Sequence, residues 1–191
     1  FDAFFFLAPI VTLRGTKLVI DFYNGLLKEL HKYMEQGVGA IPEEKYRLVW
    51  DNLPIWYKVR HLSDTLARYG AALVSDTYTH AWADNDIDPE HPFESMAKAY
   101  STVFLNRNIE SRVENFSGLI ERYQADGFIM HSNRSCKPYS FGQLDIKDAV
   151  SRKTGLPGLM IEADMTDHRA YSDEQVETRI QAFMETLAHR S

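Results

Sequence analysis

Residues 127–140 read GFIMHSNRSCKPYS, a short apolar run that passes directly into a polar turn. The run Gly127–His131 is short and almost wholly apolar, which is typical of a strand covered on both faces of a sheet. The turn that follows contains Cys136, the one cysteine of the chain, beside Lys137 and Pro138. The stretch therefore predicts a strand that carries a polar, cysteine-bearing loop to one edge of a sheet.

Three further apolar runs alternate with helical patterns along the chain. They are YRLVW at 46–50, AALVS at 71–75 and GLMIE at 158–162. Apolar residues at helical spacing occupy 55–70, 93–105, 109–124, 140–153 and 172–187. Strands that alternate with helices indicate parallel pairing with right-handed crossovers. We therefore predict an α/β fold over residues 45–191, an open, doubly wound, four-stranded parallel sheet of flavodoxin-like order 2-1-3-4, with an N-terminal helical extension.

Two helix starts are marked by serine and glutamine three residues apart. Ser140 with Gln143, and Ser172 with Gln175, have the spacing of a capping box, in which each side chain satisfies a backbone donor of the other residue. After the second pair, a buried stripe is expected at Val176, Ile180, Phe183 and Leu187.

Residues 1–44 are interpreted as a helical lead-in. Thr16 is a candidate N-cap, apolar residues follow at helical spacing as far as Met34, and Gly37 ends the helix. The phenylalanines at residues 4–6 form an apolar patch that something must cover. We expect them to pack on an upstream domain missing from this chain, on a neighbouring chain, or on the helix that Thr16 begins.

Composition excludes several classes of function. The formal net charge is -6 and there is no basic stripe, so a nucleic-acid partner is not expected. The longest apolar run, residues 3–11, is interrupted by Pro9 and is too short to span a membrane, and it lacks the features of a signal peptide. We expect a cytoplasmic protein. A single cysteine also excludes an internal disulfide and a complete metal site built from the cysteines of this chain.

Ligands of doubly wound sheets bind outside the carboxyl ends of the strands, where the strand order reverses. In the predicted order this point lies between the first and third strands, so the loops DNLPIW (51–56) and HSNRSCKPYS (131–140) should meet there. His131 is the candidate catalytic residue. Candidates for substrate binding are Asn52, Trp56, Asn133, Ser135 and Lys137. Trp56, like Trp82, is equally well explained as a core residue.

Cys136 has three interpretations. Free cysteines are usually buried packing residues, but the polar neighbours of Cys136 argue against that role. It could be a nucleophile partnered by His131 or His80, because a nearby base activates a thiol. It could also be one ligand of a cluster whose other cysteines lie upstream. Lys137, Arg134 and the start of a following helix all favour a thiolate.

Two other polar segments contain candidate binding residues. ADNDIDPEH (83–91) alternates Asp84, Asp86 and Asp88, but it lacks the glycine and the distal glutamate of an EF-hand, so a solvated turn is favoured over a calcium loop. After the last strand, Asp164, Asp167 or Arg169 could touch a phosphate group of a ligand or a partner subunit, and a structural Asp–Arg pair is the equal alternative. No glycine-rich nucleotide motif is present.

The segments ADGFIMHSNRSCKPYS and GLPGLMIEADMTDHRAYSDEQVETRIQAFMETL resemble the 2-hydroxyacyl-CoA dehydratase and class I benzoyl-CoA reductase family. The shared pattern is a strand, a turn with cysteine and proline two apart, a helix, a strand ending in Glu-x-Asp, and a Gln-x-x-Thr-Arg helix. Its positions here are Cys136 and Pro138, Glu162 and Asp164, and Gln175, Thr178 and Arg179. The amino-acid sequence of the turn is closer to that of the reductase branch than to that of the dehydratase branch.

The resemblance implies an enzyme subunit with a [4Fe–4S] cluster, ligated by Cys136 and by cysteines from a region absent here. Ser135, Asn133 and nearby amides would tune that cluster. It also implies an acyl-CoA substrate, a homologous partner subunit and an ATP-dependent iron–sulfur activator protein. The expected reaction is low-potential, one-electron reduction of the thioester, of the benzoyl-CoA reductase type, or else 2-hydroxyacyl-CoA dehydration. A non-catalytic binding or assembly module on the same fold is the alternative of another class.

Overall fold

A computed structural model describes residues 3–83 and 87–190, and a four-stranded parallel sheet lies at its centre. The strands are β1 (Tyr46–Asp51), β2 (Ala71–Asp76), β3 (Gly127–Asn133) and β4 (Gly158–Ala163). Their order is β2-β1-β3-β4, and β1–β2, β1–β3 and β3–β4 are all parallel pairs. The predicted fold class and strand order are therefore confirmed.

Ten helices lie within the described residues. In chain order they are α1 (Ala3–Phe6), α2 (Ala8–Thr12), α3 (Lys17–Glu35), α4 (Val59–Arg68), α5 (Thr77–Ala83), α6 (Pro92–Ser101), α7 (Ile109–Arg122), α8 (Lys137–Ser140), α9 (Gln143–Thr154) and α10 (Asp173–Ala188). Short 3₁₀ turns occupy Trp56–Lys58, Phe104–Asn106 and His168–Ala170.

Alternate residues of each strand face two separate apolar layers, because side chains of a strand point to opposite faces. On one face, Leu48, Trp50 and Ile129 pack against α4 and α10. On the other face, Val49 and Phe128 pack against α7 and α9. Helices on both faces bury the central strands, which explains why those strands are apolar along most of their length.

Several sequence-based boundaries change. The helix predicted at 55–70 begins as the 3₁₀ turn Trp56–Lys58, and the one predicted at 93–105 ends at Ser101, before a second 3₁₀ turn. Ser172 is the N-cap residue of α10, but its side chain makes no capping hydrogen bond. The stripe predicted on α10 is confirmed, since Val176, Ile180, Phe183 and Leu187 are all buried.

The capping box of Ser140 and Gln143 is wrong. Ser140 is the last residue of α8, and α9 begins after Gly142, which has a φ of 76°. Both side chains are used elsewhere: the Ser140 hydroxyl donates to the Asn133 carbonyl at 2.8 Å, and Gln143 donates to Asp51 at 2.9 Å. The physical reason is that these groups are needed to satisfy buried polar atoms of β1 and β3.

The N-terminal segment folds back onto the α/β unit. Thr16 caps α3 as predicted, accepting a hydrogen bond from the Val19 amide at 3.5 Å. Phe4 is 5% exposed and joins the core layer beneath α4 and α10, with ring centroids 6.4 Å from Trp56 and 6.3 Å from Tyr78.

The next two phenylalanines are more exposed than Phe4. Phe6 packs on Phe22 of α3, whereas Phe5 stays 57% exposed beside Trp56. Most apolar residues of α3 are exposed as well.

Among the described residues, none of the helices combines the length and the apolar character needed to cross a membrane.

Candidate functional site

The loops after β1 and β3 meet at the carboxyl edge of the sheet, as predicted from the strand order. The side-chain amide nitrogen of Asn52 donates to the His131 carbonyl at 2.7 Å, although the two residues lie 79 positions apart in the chain. Gln143 donates to the same carbonyl at 3.1 Å. These bonds fix the relative positions of the two loops.

Asn52 sits in a left-handed backbone conformation, with a φ of 81°. Asparagine tolerates this conformation better than most residues with a side chain. The turn is held by the Leu53 amide, which donates to the Asn52 side-chain oxygen at 2.6 Å, and by the Asn52 amide, which donates to Thr77 at 3.1 Å. Asn52 is fully buried, so its side chain works inside the protein as a connector and not as an exposed ligand-binding group.

Asp51 is a buried carboxyl at the end of β1. It accepts hydrogen bonds from the Thr77 hydroxyl at 2.8 Å and from Gln143 at 2.9 Å. Since Thr77 uses its proton on Asp51, the Tyr139 hydroxyl is the donor in the 2.6 Å contact between Tyr139 and Thr77. Burial raises the pKa of Asp51 to about 6, against the lowering effect of these donors and of Arg112.

His131 is fully buried as a neutral imidazole. Its Nδ1 lies 2.7 Å from the Leu53 carbonyl oxygen, which can only accept, so Nδ1 carries the proton. Burial lowers the pKa of His131 to about 4. Nε2 is buried and has no hydrogen-bond partner within the described part of the chain. His131 thus keeps one unprotonated ring nitrogen, Nε2, inside the protein.

Asn133 organises the turn that carries Cys136. Its carbonyl accepts from the Cys136 amide at 3.2 Å and from the Ser140 hydroxyl at 2.8 Å. Its side-chain oxygen accepts from the amides of Ser135 at 3.2 Å and Met165 at 3.4 Å, which ties the turn to the loop after β4. Asn133 is 1% exposed, so it positions the turn from below.

Asp164 anchors the same turn from the neighbouring loop. The Ser135 hydroxyl donates to its carboxylate, and the amides of Thr166 and Asp167 each donate to it at 2.9 Å. These donors favour the charged form and hold the pKa of Asp164 well below its usual range. A fixed carboxylate of this kind sets the position of Ser135, the residue before Cys136.

Cys136 itself is half-buried at the outer side of the turn. The helix that follows it, α8, has only four residues. Lys137 is exposed, whereas Arg134 pairs with Glu162 at 2.6 Å. Cys136 therefore lies at the carboxyl edge of the sheet, where the strand order reverses. Its neighbour Lys137 forms no ion pair among the described residues.

The nucleophile interpretation gains nothing from this geometry. His131 binds Leu53, and the ring of His80 packs against Tyr123 with centroids 5.9 Å apart. In residues 3–83 and 87–190, neither histidine is hydrogen-bonded to Cys136.

The remaining candidates lie apart from the turn or outside the described residues. Trp56 is 36% exposed and packs against Phe4, Phe5 and Tyr78. Arg169 forms the structural pair with Asp167, at 2.7 Å.

Asp84, Asp86 and the side chain of Trp82 lie outside the residues that the structure describes. Asp88 accepts hydrogen bonds from Glu90 and pairs with His91. Within the described residues no group of three metal-ligating side chains is assembled.

The buried partners of the two loops were not predicted from the sequence: they are Thr77, Tyr139, Gln143 and Arg112. Thr77 could have been found, because it directly follows β2 at the same edge of the sheet. Gln143 has the spacing of a helix start, and nothing local in the sequence distinguishes that role from the observed one.

Comparison with known proteins adds a family and several relatives. The family model described as "2-hydroxyglutaryl-CoA dehydratase, D-component" matches residues 1–187. The chain is 35% identical to the (R)-2-hydroxyisocaproyl-CoA dehydratase alpha subunit of Clostridioides difficile over 195 residues, covering 100% of this chain and 46% of that protein.

Two other relatives match at similar levels. The alpha subunit of lactoyl-CoA dehydratase from Anaerotignum propionicum is 30% identical, with 98% of this chain and 44% of that protein covered. A benzoyl-CoA reductase subunit from Thauera aromatica is 31% identical, with 98% of this chain and 46% of that protein covered. The chain thus spans less than half the length of these relatives.

Proposed function

The chain belongs to the 2-hydroxyglutaryl-CoA dehydratase D-component family, and from this premise we propose that it is part of a subunit of an iron–sulfur enzyme acting on an acyl-CoA thioester. The observation that carries the proposal is the placement of its one cysteine. Cys136 lies half-buried on a rigidly held turn at the carboxyl edge of the sheet, where doubly wound folds bind their ligands.

Dehydration of a 2-hydroxyacyl-CoA is the favoured reaction. Two of the three relatives described above are named as dehydratase subunits, and so is the matching family. The preference of the sequence analysis for the reductase branch has less support. Benzoyl-CoA reduction stays the second candidate, because the reductase subunit of Thauera aromatica is 31% identical.

The residues around Cys136 fit one corner of a [4Fe–4S] cluster. A thiolate sulfur is the ligand that such clusters require, and Cys136 is not committed to a disulfide. One sulfur leaves the other iron positions to ligands from outside residues 1–191. When bound, the cluster would supply a low-potential electron to the thioester carbonyl. We propose that an ATP-dependent activator protein supplies the electrons and that a homologous subunit is the structural partner.

The chain's own residues hold and shield this corner. Asn133 and Asp164 fix the turn through its backbone and through Ser135, so that the backbone at Cys136 keeps one position. Lys137 provides an exposed positive charge beside it, suited to an anionic substrate. His131 is neutral near pH 7, and its buried Nε2 has no hydrogen-bond partner among the described residues.

The test is the substitution Cys136→Ser in the complete subunit, purified without oxygen. Iron content and thermal midpoint are measured on the same preparation, with Cys136→Ala as the second variant. We expect both variants to lose iron and activity while the midpoint stays near that of the wild type, because a half-buried side chain on a turn contributes little to the core.

Each other outcome rejects the ligand role. Iron retained with a loss of stability of about 1–3 kcal/mol makes Cys136 a packing residue. Iron and stability retained without turnover makes it a nucleophile. Wild-type protein without iron indicates a non-catalytic binding or assembly module.

A further inference from the structure

A cleft of about 280 Å³ lies between the carboxyl end of β4 and the start of α10. Arg134, Arg169 and Arg179 line it together with Glu162, Tyr171 and Ser172. Three guanidinium groups and one carboxylate give its lining an excess of positive charge. The chain as a whole carries a formal net charge of -6, so this local excess is contrary to the composition.

Arg134 and Arg169 can exchange their carboxylate partners for an anionic ligand. Arg134 pairs with Glu162, and Arg169 with Asp167, but the side chains of these arginines are 60% and 90% exposed. Exposed ion pairs contribute little and exchange partners readily. Arg179 donates a hydrogen bond from Nη1 to the Met160 carbonyl at 3.2 Å, which holds its guanidinium at the edge of β4. Its other donors have no acceptor among the described residues and can bind a ligand.

Two neutral donors complete the cleft. The Tyr171 hydroxyl is buried and has no hydrogen-bond partner among the described residues. Burial raises the pKa of Tyr171 well above its usual range, so the hydroxyl keeps its proton and remains a donor. Ser172 stands at the N-cap of the 16-residue helix α10 without using its side chain as a cap, so the first amides of that helix lack a side-chain acceptor from Ser172.

We propose that this cleft binds a phosphate group of the coenzyme A part of the substrate. The proposal rests on the acyl-CoA function argued above. Planar guanidinium groups bind phosphate oxygens through paired hydrogen bonds, which suits three arginines better than it suits scattered lysines. Arg134 also belongs to the turn that carries Cys136, two residues along the chain, so a phosphate bound here tethers the substrate beside that turn.

The experiment measures binding of coenzyme A to the purified protein by isothermal titration calorimetry, with inorganic phosphate as a separate ligand. The variants are Arg179→Gln and Arg169→Gln. The matched control is Arg152→Gln, an exposed arginine on α9 at the opposite face of the sheet. We expect each cleft variant to weaken coenzyme A binding at least about tenfold and the control to leave it unchanged.

A further variant guards against misfolding. Arg179→Lys keeps the charge but not the fork of donors, and its affinity should fall between those of the wild type and of Arg179→Gln. Equal affinities in the wild type and both cleft variants would overturn the proposal. So would inorganic phosphate that binds as tightly as coenzyme A, because the cleft would then be a site for the free ion.

Failure of this inference is distinguishable from failure of the proposed function. Coenzyme A binding needs no cluster, so Cys136→Ser should bind coenzyme A like the wild type. If Cys136→Ser loses iron as expected but Arg179→Gln binds coenzyme A normally, the function stands and the phosphate site does not. If the wild type holds no iron yet the arginine variants lose coenzyme A, the phosphate site stands alone.

Discussion

At the scale of single residues, the decisive groups are buried polar side chains that join distant parts of the chain. Asn52 is hydrogen-bonded to His131, 79 positions away, and Gln143 is hydrogen-bonded to Asp51, 92 positions away. Each lies in a region where unpaired polar groups are costly, so their hydrogen bonds define a single arrangement of the two loops. Asn133 and Asp164 then hold the turn with Cys136 through Ser135 and the Cys136 amide.

The raised pKa of Asp51 predicts that the free energy of unfolding depends on pH. Its pKa is raised from 3.8 to about 6 in the folded protein, so the unfolded chain releases this proton first as the pH rises. Stability from the protonated carboxyl is therefore complete below pH 3.8 and is lost as the pH rises through 6, by on the order of 3 kcal/mol. The variant Asp51→Asn does not titrate and should lack this loss.

The measurement is urea unfolding of both proteins at several values between pH 4 and pH 7. The difference in unfolding free energy should shift in favour of Asp51→Asn as the pH rises. His131 titrates over part of the same range with the opposite sign, but it is present in both proteins and cancels in the difference. A difference that stays constant with pH would show that Asp51 has an ordinary pKa.

At the scale of elements, β3 and β4 begin at glycines because neighbouring side chains occupy the space of a Cβ atom. A Cβ on Gly158 would lie 2.2 Å from the ring of Phe128. That ring is fully buried and packs against Phe116, with centroids 5.2 Å apart. The close approach of β4 to β3 thus depends on the absence of a side chain at Gly158.

Gly158→Ala should destabilise the protein by about 1–3 kcal/mol, because the Phe128 ring has no open space to move into. The matched control is Gly118→Ala, at an exposed position of α7 where a Cβ meets nothing within 4 Å. Alanine is the better helix former, so this control should be neutral or stabilising by up to about 1 kcal/mol. Thermal unfolding of the two variants tests the contrast, and similar midpoints would contradict it.

At the scale of the whole molecule, the N-terminal segment shares the core of the α/β unit. Phe4 lies among buried residues of β1, α4 and α10, although it is separated from them by the length of α3. The sequence predicts that this segment packs on an absent domain, on a neighbouring chain or on its own helix. The structure places Phe4 on the α/β unit and Phe6 on α3.

Phe4→Ala should therefore lower the stability of the α/β unit itself, by about 3 kcal/mol, because it removes a buried ring from the layer under α4 and α10. Phe5→Ala is the natural control, since Phe5 is 57% exposed. Its effect should stay within about 1 kcal/mol. Denaturant unfolding, followed by circular dichroism, gives the unfolding free energy of each variant. Equal effects of Phe4→Ala and Phe5→Ala would mean that Phe4 is not part of this core.

The sequence by itself determined the four strands, the longer helices and their order, but not the short helices α5 and α8. Apolar runs and helical spacing are local patterns, and parallel crossovers allow few arrangements, so the 2-1-3-4 sheet and the meeting of the two loops followed from them. The position of Cys136 at that meeting point was predicted for the same reason.

Only the tertiary structure decided what the polar residues of the site do. Ser140 and Gln143 have a capping-box spacing, yet they bond Asn133 and Asp51 because those buried groups lie close in space and far apart in sequence. The same holds for the raised pKa of Asp51, the neutral state of His131 and the burial of Phe4. Burial depends on the sum of long-range contacts, and a local pattern contains no record of which distant residue will supply them.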